Sequence, residues 1–121
     1  MALTNIQLFQ LLGFNQVGTR NALIVDFLSG DLAELQHMSE SEVKDACASY
    51  AKRTDAPFPI ILTQLQRKRL KALMLWVKDR VRAQAPVTFP NGTTGAQLRA
   101  ELNDAIEREA RRKEQKKVGD A

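Results

Sequence analysis

Few residues in this chain could do chemistry, and their spacing suits it poorly. His37 is the only histidine and Cys47 the only cysteine. A zinc site draws on about four ligands, usually in closely spaced pairs, and a cysteine nucleophile needs a histidine beside it. Neither pattern is met, and Cys47 falls on a helix face expected to be buried, where a thiol behaves as a small hydrophobe. Gly13, Gly18, Gly30, Gly92 and Gly95 never approach the spacing of a phosphate loop or dinucleotide fingerprint. The carboxylates lie mostly in the first turns of expected helices, where the helix dipole accounts for them. The expectation is therefore a non-enzymatic chain without catalytic residues, metal, cofactor or small-molecule substrate.

Charge is the remaining chemistry. The 121 residues carry a net charge of +4, and that total hides an asymmetry. Residues 1–60 hold four Lys and Arg against seven Asp and Glu, whereas residues 61–121 hold fourteen against seven. Such a split suits contact with nucleic acid, or contact between one face of the molecule and another face of its neighbour. No run of about 18 apolar residues exists to span a membrane, and the start lacks the basic and apolar regions of a secretory signal. One cysteine cannot form an intramolecular disulfide, so an intracellular location, cytoplasmic or nuclear, is expected.

The element that must position these charges is the stretch 61–83. At 100° per residue Leu62, Leu65, Leu70, Leu73, Trp76, Val77 and Val81 share one broad arc, a wide buried face. On the other side Arg67, Lys71, Lys78 and Arg82 stack within roughly 60° of one another. Arg69 and Arg80 fall inside the apolar arc, where an arginine needs a partner in the fold or at a second interface.

Around this helix the sequence predicts about five shorter ones. Thr4 and Gln7 form a capping box for a helix ending at Gly13. Asn15 is placed to cap a helix through Leu28, with Val17, Leu23, Ile24, Phe27 and Leu28 inward and Ser29-Gly30 as its end. A short turn from Asp31 holds Leu32 and Leu35 inward. Ser39 and Glu42 box the start of a helix reaching Tyr50 or Arg53, burying Val43, Ala46, Cys47 and Tyr50. Pro57 and Pro59 forbid its continuation, with Phe58 between them as a core plug. Pro86 and Pro90 end the long helix. Thr94 and Gln97 then start a last helix with a narrow stripe of Leu98, Leu102, Ala105 and Ile106, and the pairs Glu107–Arg111 and Glu109–Lys113 support its solvated end. The fold class is all-α: a helical domain over 1–84, a Pro/Gly linker over 85–93, and a semi-detached, charged C-terminal helix over 94–121 that frays at its end.

The succession Leu8, Leu11-Leu12-Gly13-Phe14, then Asp31-Leu32-Ala33-Glu34-Leu35, then Met38-Ser39-Glu40-Ser41-Glu42-Val43-Lys44-Asp45 resembles a sterile alpha motif domain. With Arg20-Asn21-Ala22-Leu23 and the run RLKALMLWVKDRVR, it is similar to the segment of that kind at the start of retroelement polyproteins of marine algae. The resemblance covers roughly residues 5–83. It implies a compact five-helix bundle with a short third and a long fifth helix, serving self-association, partner binding or RNA binding. Residues from Thr93 onward lie outside it.

Three functional readings follow. In the first, a homo-oligomer forms as the basic surface Arg67, Lys68, Arg69, Lys71, Lys78 and Arg82 meets the acidic surface Asp31, Glu34, Glu40 and Glu42 of a neighbour, with a retroelement particle as the setting that the resemblance implies. In the second, the basic half, with Arg108, Arg111, Arg112, Lys113, Lys116 and Lys117, contacts RNA or DNA phosphates with little sequence preference, since stacking aromatics are scarce. In the third, an adaptor docks the stripe Leu98, Leu102, Ala105 and Ile106 on a different protein.

Overall fold

The computed structural model describes residues 3–24, 31–55 and 60–119, with side chains to residue 114. Helices α1 (Asn5–Leu11), α2 (Val17–Leu23), α3 (Glu40–Lys52), α4 (Gln64–Arg82) and α5 (Gly95–Gly119) are joined by a 3-10 helix, Leu32–His37, between α2 and α3. Among the described residues the fold is all-α. Predicted positions in 25–30 and 56–59, including Phe27, Leu28 and Phe58, lie outside them.

Local chemistry sets the helix starts. Thr4 and Gln7 close a reciprocal capping box at α1 (3.2 and 2.9 Å), as do Ser39 and Glu42 at α3 (both 3.2 Å) and Thr94 and Gln97 at α5 (3.2 and 2.9 Å). A fourth box, Thr63 with Gln66, moves the start of α4 to Gln64, and leaves Ile61 and Leu65 at 80% and 55% exposure. The expected inward place of Leu65 is thereby corrected: it sits in the first turn, ahead of the packed part of the helix. At α2 the N-cap is Gln16 and not Asn15, without a side-chain cap, and Val17 is exposed.

Along α4, every residue from Ala72 to Val77 is buried. One apolar arc cannot account for a whole turn and a half. The helix is enclosed because α3, the 3-10 helix and α5 all pack on it, so it is the spine of one core that includes Leu8, Phe9, Leu12, Phe14, Leu23 and Tyr50. Phe9 and Phe14 meet edge to face, their ring centroids 5.6 Å apart.

Gly13 serves two needs at once. Its φ is +97°, which a side chain disfavours, and a Cβ there would lie 2.7 Å from Nη1 of Arg69. That guanidinium crosses the turn to donate to the Leu12 carbonyl at 2.6 Å. Arg69 thus finds a partner within the fold, and its expected place on the basic outer surface is corrected. Arg80 also finds one: it pairs with Glu101 at 3.3 Å and lies 5.0 Å from the Trp76 ring centre.

Phe89 of the segment 85–93 and one face of α5 join the core. Phe89 is buried and stacked on Trp76 at 4.1 Å, and its carbonyl accepts from the Leu3 backbone amide. Leu98, Leu102 and Ala105 are buried on the same core. The Trp76 Nε1 donates to Glu101 at 2.9 Å, giving the buried indole the acceptor it needs. Further along, Arg108 and Arg112 reach Asp79 of α4 at 2.9 and 2.8 Å, and Lys113 reaches Glu40 of α3 at 3.4 Å. The semi-detached tail expected from sequence is corrected accordingly. Neither expected i,i+4 pair forms: Glu109 binds Arg112, Lys113 turns to Glu40, and Glu107 and Arg111 have no ion partner among the described residues.

Candidate functional site

Where the first half of α3 faces the first half of α4, the two helices leave a groove of about 630 Å³ lined by Glu40, Val43, Lys44, Cys47, Ala48, Arg67, Lys68 and Lys71, with Ser41 and Gln64 at its edge. Val43 and Cys47 are buried and form an apolar floor together with Ala48. Four cations rim it against one carboxylate. The spacing explains the arrangement: Val43 and Cys47 are four residues apart on α3, and Arg67, Lys68 and Lys71 project from successive turns of α4.

The one carboxylate is already engaged. Glu40 pairs with Lys71 at 3.3 Å and Lys113 at 3.4 Å. Partial burial works to raise its pKa, but the two ammonium groups outweigh this and hold the carboxyl below its ordinary value. Lys44, Arg67 and Lys68 are exposed and have no ion partner among the described residues. At the floor, burial pushes the Cys47 thiol above its ordinary pKa, with Arg67 opposing. A thiol so placed stays protonated at neutral pH and is a poor nucleophile. Among the described residues no group of three or more His, Cys, Asp and Glu could hold a metal ion.

A second charged cluster lies at the far end of α4. Asp79, with its side chain 11% exposed, accepts from Arg82 at 3.3 Å, Arg108 at 2.9 Å and Arg112 at 2.8 Å. Glu109 and Asp79 together keep Arg112 more firmly protonated than usual. This cluster ties α5 to α4.

The predicted surfaces are therefore sorted differently by the fold. Arg67, Lys68 and Lys71 come together and gain Lys44, which sequence reasoning missed because it belongs to a distant segment. Arg69 and Arg82 are used internally, and Lys78 is half-buried and lies outside the groove. Of the acidic set, Glu40 is neutralised beside the groove, while Asp31 and Glu42 accept from helix-start amides, Asp31 from Ala33 at 3.1 Å. Glu34 lies 3.9 Å from His37, both largely exposed. Of the tail cations, Arg108, Arg112 and Lys113 are paired within the chain and Arg111 is exposed without an ion partner among the described residues. The side chains of Lys116 and Lys117 lie outside the described residues. The stripe proposed for docking in trans is mostly used at home: Leu98, Leu102 and Ala105 are buried, and Ile106, 41% exposed, is the member left outside. No helix among the described residues is long and apolar enough to cross a membrane. No known protein family, curated protein or solved structure matches this chain.

Proposed function

We propose that this chain is a non-enzymatic protein-protein interaction and self-assembly module whose contact surface is the basic groove between α3 and α4. One observation carries the reading: Lys44, Arg67 and Lys68 converge on an apolar floor and have no carboxylate of their own among the described residues. Cations that merely keep a surface soluble are scattered among opposite charges, whereas these concentrate one sign around a concave groove that a partner can fill. An acidic, partly apolar protein surface satisfies both, and a second copy of the chain supplies it. The setting that the resemblance to algal retroelement segments suggests, the particle-forming or packaging part of such an element, fits such a module.

Nucleic acid is the competing ligand. Among the described residues the groove is lined by no aromatic side chain to stack on a base, and three of the tail cations are engaged by Asp79, Glu109 and Glu40, so RNA would find phosphate contacts alone there. The experiment is light scattering coupled to size exclusion, over a concentration series at low and high salt, for the native chain and for Arg67→Glu/Lys68→Glu. The native mass is expected to climb with concentration and fall in high salt, while the variant remains a monomer. Undiminished assembly of the variant, or a monomer that shifts only when single-stranded RNA is added, overturns the reading.

A further inference from the structure

We propose that Glu40 is the residue that fits the groove to protein carboxylates and turns nucleic-acid phosphates away. This rests on the groove being the interaction surface and adds how that surface selects its partner.

Glu40 is the one carboxylate among the described residues that line the groove, where Lys44, Arg67, Lys68 and Lys71 supply the positive charge. Its side chain is 38% exposed, so it faces whatever enters. It pairs with Lys71 of α4 at 3.3 Å and with Lys113 of α5 at 3.4 Å. Lys44, Arg67 and Lys68 thus have no ion partner among the described residues, while two further cations at the Glu40 end are held by a negative charge.

Building the fold does not require this carboxylate. Ser39 and Glu42 make the capping box of α3. Leu98, Leu102 and Ala105 pack α5 on the core, and Asp79 holds Arg108 and Arg112. Pairs as exposed as those of Glu40 add little to stability. What the carboxylate does set is the charge of the groove.

Its position decides which ligands feel that charge. Glu40 opens α3, and its pair with Lys71 marks one end of the groove, which from there follows α3 to Ala48 and α4 back to Gln64. Eight residues of helix span about 12 Å. A nucleic-acid strand laid along that length carries a negative charge at every nucleotide and brings phosphate up to Glu40. A protein surface places its carboxylates singly: it can meet Lys44, Arg67 and Lys68 and leave a neutral side chain opposite Glu40. One repulsive charge therefore separates two acidic partners that the cations alone would both attract.

Counterion release gives the size of the effect. For a single strand, each phosphate neutralised adds about −0.7 to the slope of log affinity against log salt, so three free cations give a slope of about −2. Removing Glu40 frees Lys71 and Lys113, and five cations give about −3.5. Extrapolated from 1 M salt, the two added contacts strengthen binding by about 25-fold at about 0.1 M.

The test uses the full chain in four forms: native, Glu40→Gln, Glu107→Gln as a control that changes net charge equally outside the groove, and Glu40→Gln added to Arg67→Glu/Lys68→Glu. Binding of a short labelled oligouridylate is followed by fluorescence anisotropy across a salt series, and assembly by light scattering. Glu40→Gln is expected to bind the RNA about 25-fold more tightly than the native chain at 0.1 M salt, with the steeper slope. Glu107→Gln should stay close to native, the gain should vanish in the groove-reversed background, and Glu40→Gln should still assemble. An RNA affinity and slope unchanged in Glu40→Gln, or a gain equalled by Glu107→Gln, overturns the inference and leaves the groove as the protein contact. Loss of assembly in Glu40→Gln also overturns it, because the carboxylate would then be part of the contact and not its selector. If the native chain already binds RNA with the steeper slope and assembles only upon it, the proposed function falls as well.

Discussion

Replacing Leu98 by Ala separates a packed α5 from a tethered one, and Ile106→Ala supplies the internal comparison. Both residues belong to the apolar stripe of the same helix, so helix propensity changes little between the two experiments. Their surroundings differ sharply: Leu98 is 0% exposed within the core that holds Trp76 and Phe89, and Ile106 is 41% exposed. Truncating a fully buried leucine removes its transfer free energy and leaves a cavity, a loss of about 3 kcal/mol. Truncating Ile106 removes a partly wetted side chain and leaves no enclosed void, a loss of about 1 kcal/mol or less. With a urea m-value of about 1.5 kcal/mol/M, the Leu98 change moves the unfolding midpoint down by about 2 M and the Ile106 change by well under 1 M. Unfolding is followed by far-ultraviolet circular dichroism and, in parallel, by Trp76 fluorescence. Coincident transitions for both probes are expected, because the indole hydrogen-bonds to Glu101 of α5 itself. A Leu98→Ala midpoint no lower than that of Ile106→Ala, or a helical signal that melts before the tryptophan signal in the native chain, would refute the packing of α5 into a single cooperative core.

Four further outcomes follow from the same structure. Gln84 holds φ at +56° at the end of α4, where the Ala85 amide donates to the Arg80 carbonyl and the Gln84 amide to that of Val81, a Schellman ending that glycine suits better. Gln84→Gly should raise stability by about 1 kcal/mol, seen as a higher thermal midpoint. Gly13→Ala should cost at least about 1 kcal/mol from φ alone, and part of any additional cost should vanish in an Arg69→Ala background, where the guanidinium 2.7 Å from the new Cβ is gone; a double-mutant cycle with no coupling energy contradicts that geometry. Glu40 has a folded-state pKa below its unfolded value, so its pairs with Lys71 and Lys113 stabilise the fold above the ordinary glutamate range and are lost as pH falls through the folded value. The effect is small because the carboxylate is 38% exposed and solvent-screened, and a Glu40→Gln chain should show a correspondingly shallower loss of stability below about pH 4.5. Finally, burial at the groove floor should keep Cys47 slow to alkylate at pH 8 compared with the urea-unfolded chain, and rapid labelling of the folded monomer would place the thiol elsewhere.

How much of this was legible beforehand depended on the range of the interaction. The capping boxes at Thr4, Ser39 and Thr94 and the inward set Val43, Cys47 and Tyr50 are local, each signalled within one or two turns by residue type and period. The apolar pattern alone puts the start of α4 too early because it extends ahead of Thr63 to Ile61, whereas the equally local Thr63–Gln66 box sets the start at Gln64. The partners of Arg69 and Arg80 were not foreseeable, although the need for partners was: an arginine inside an apolar arc announces a contact without naming it.

An all-α chain, the positions of most helix starts, a long central helix and a basic C-terminal half can be read from the residues alone, because propensity, capping and charge are written within a few residues of where they act. Which charges remain for a partner is settled by the packing of the helices. Asp79 engages Arg82, Arg108 and Arg112, Glu40 neutralises Lys71, and Lys44 joins Arg67 and Lys68 across two helices distant in sequence. Whether a cation is satisfied or free depends on the carboxylates within about 4 Å of it, and that distance is set by how helices pack, not by the spacing of residues along the chain.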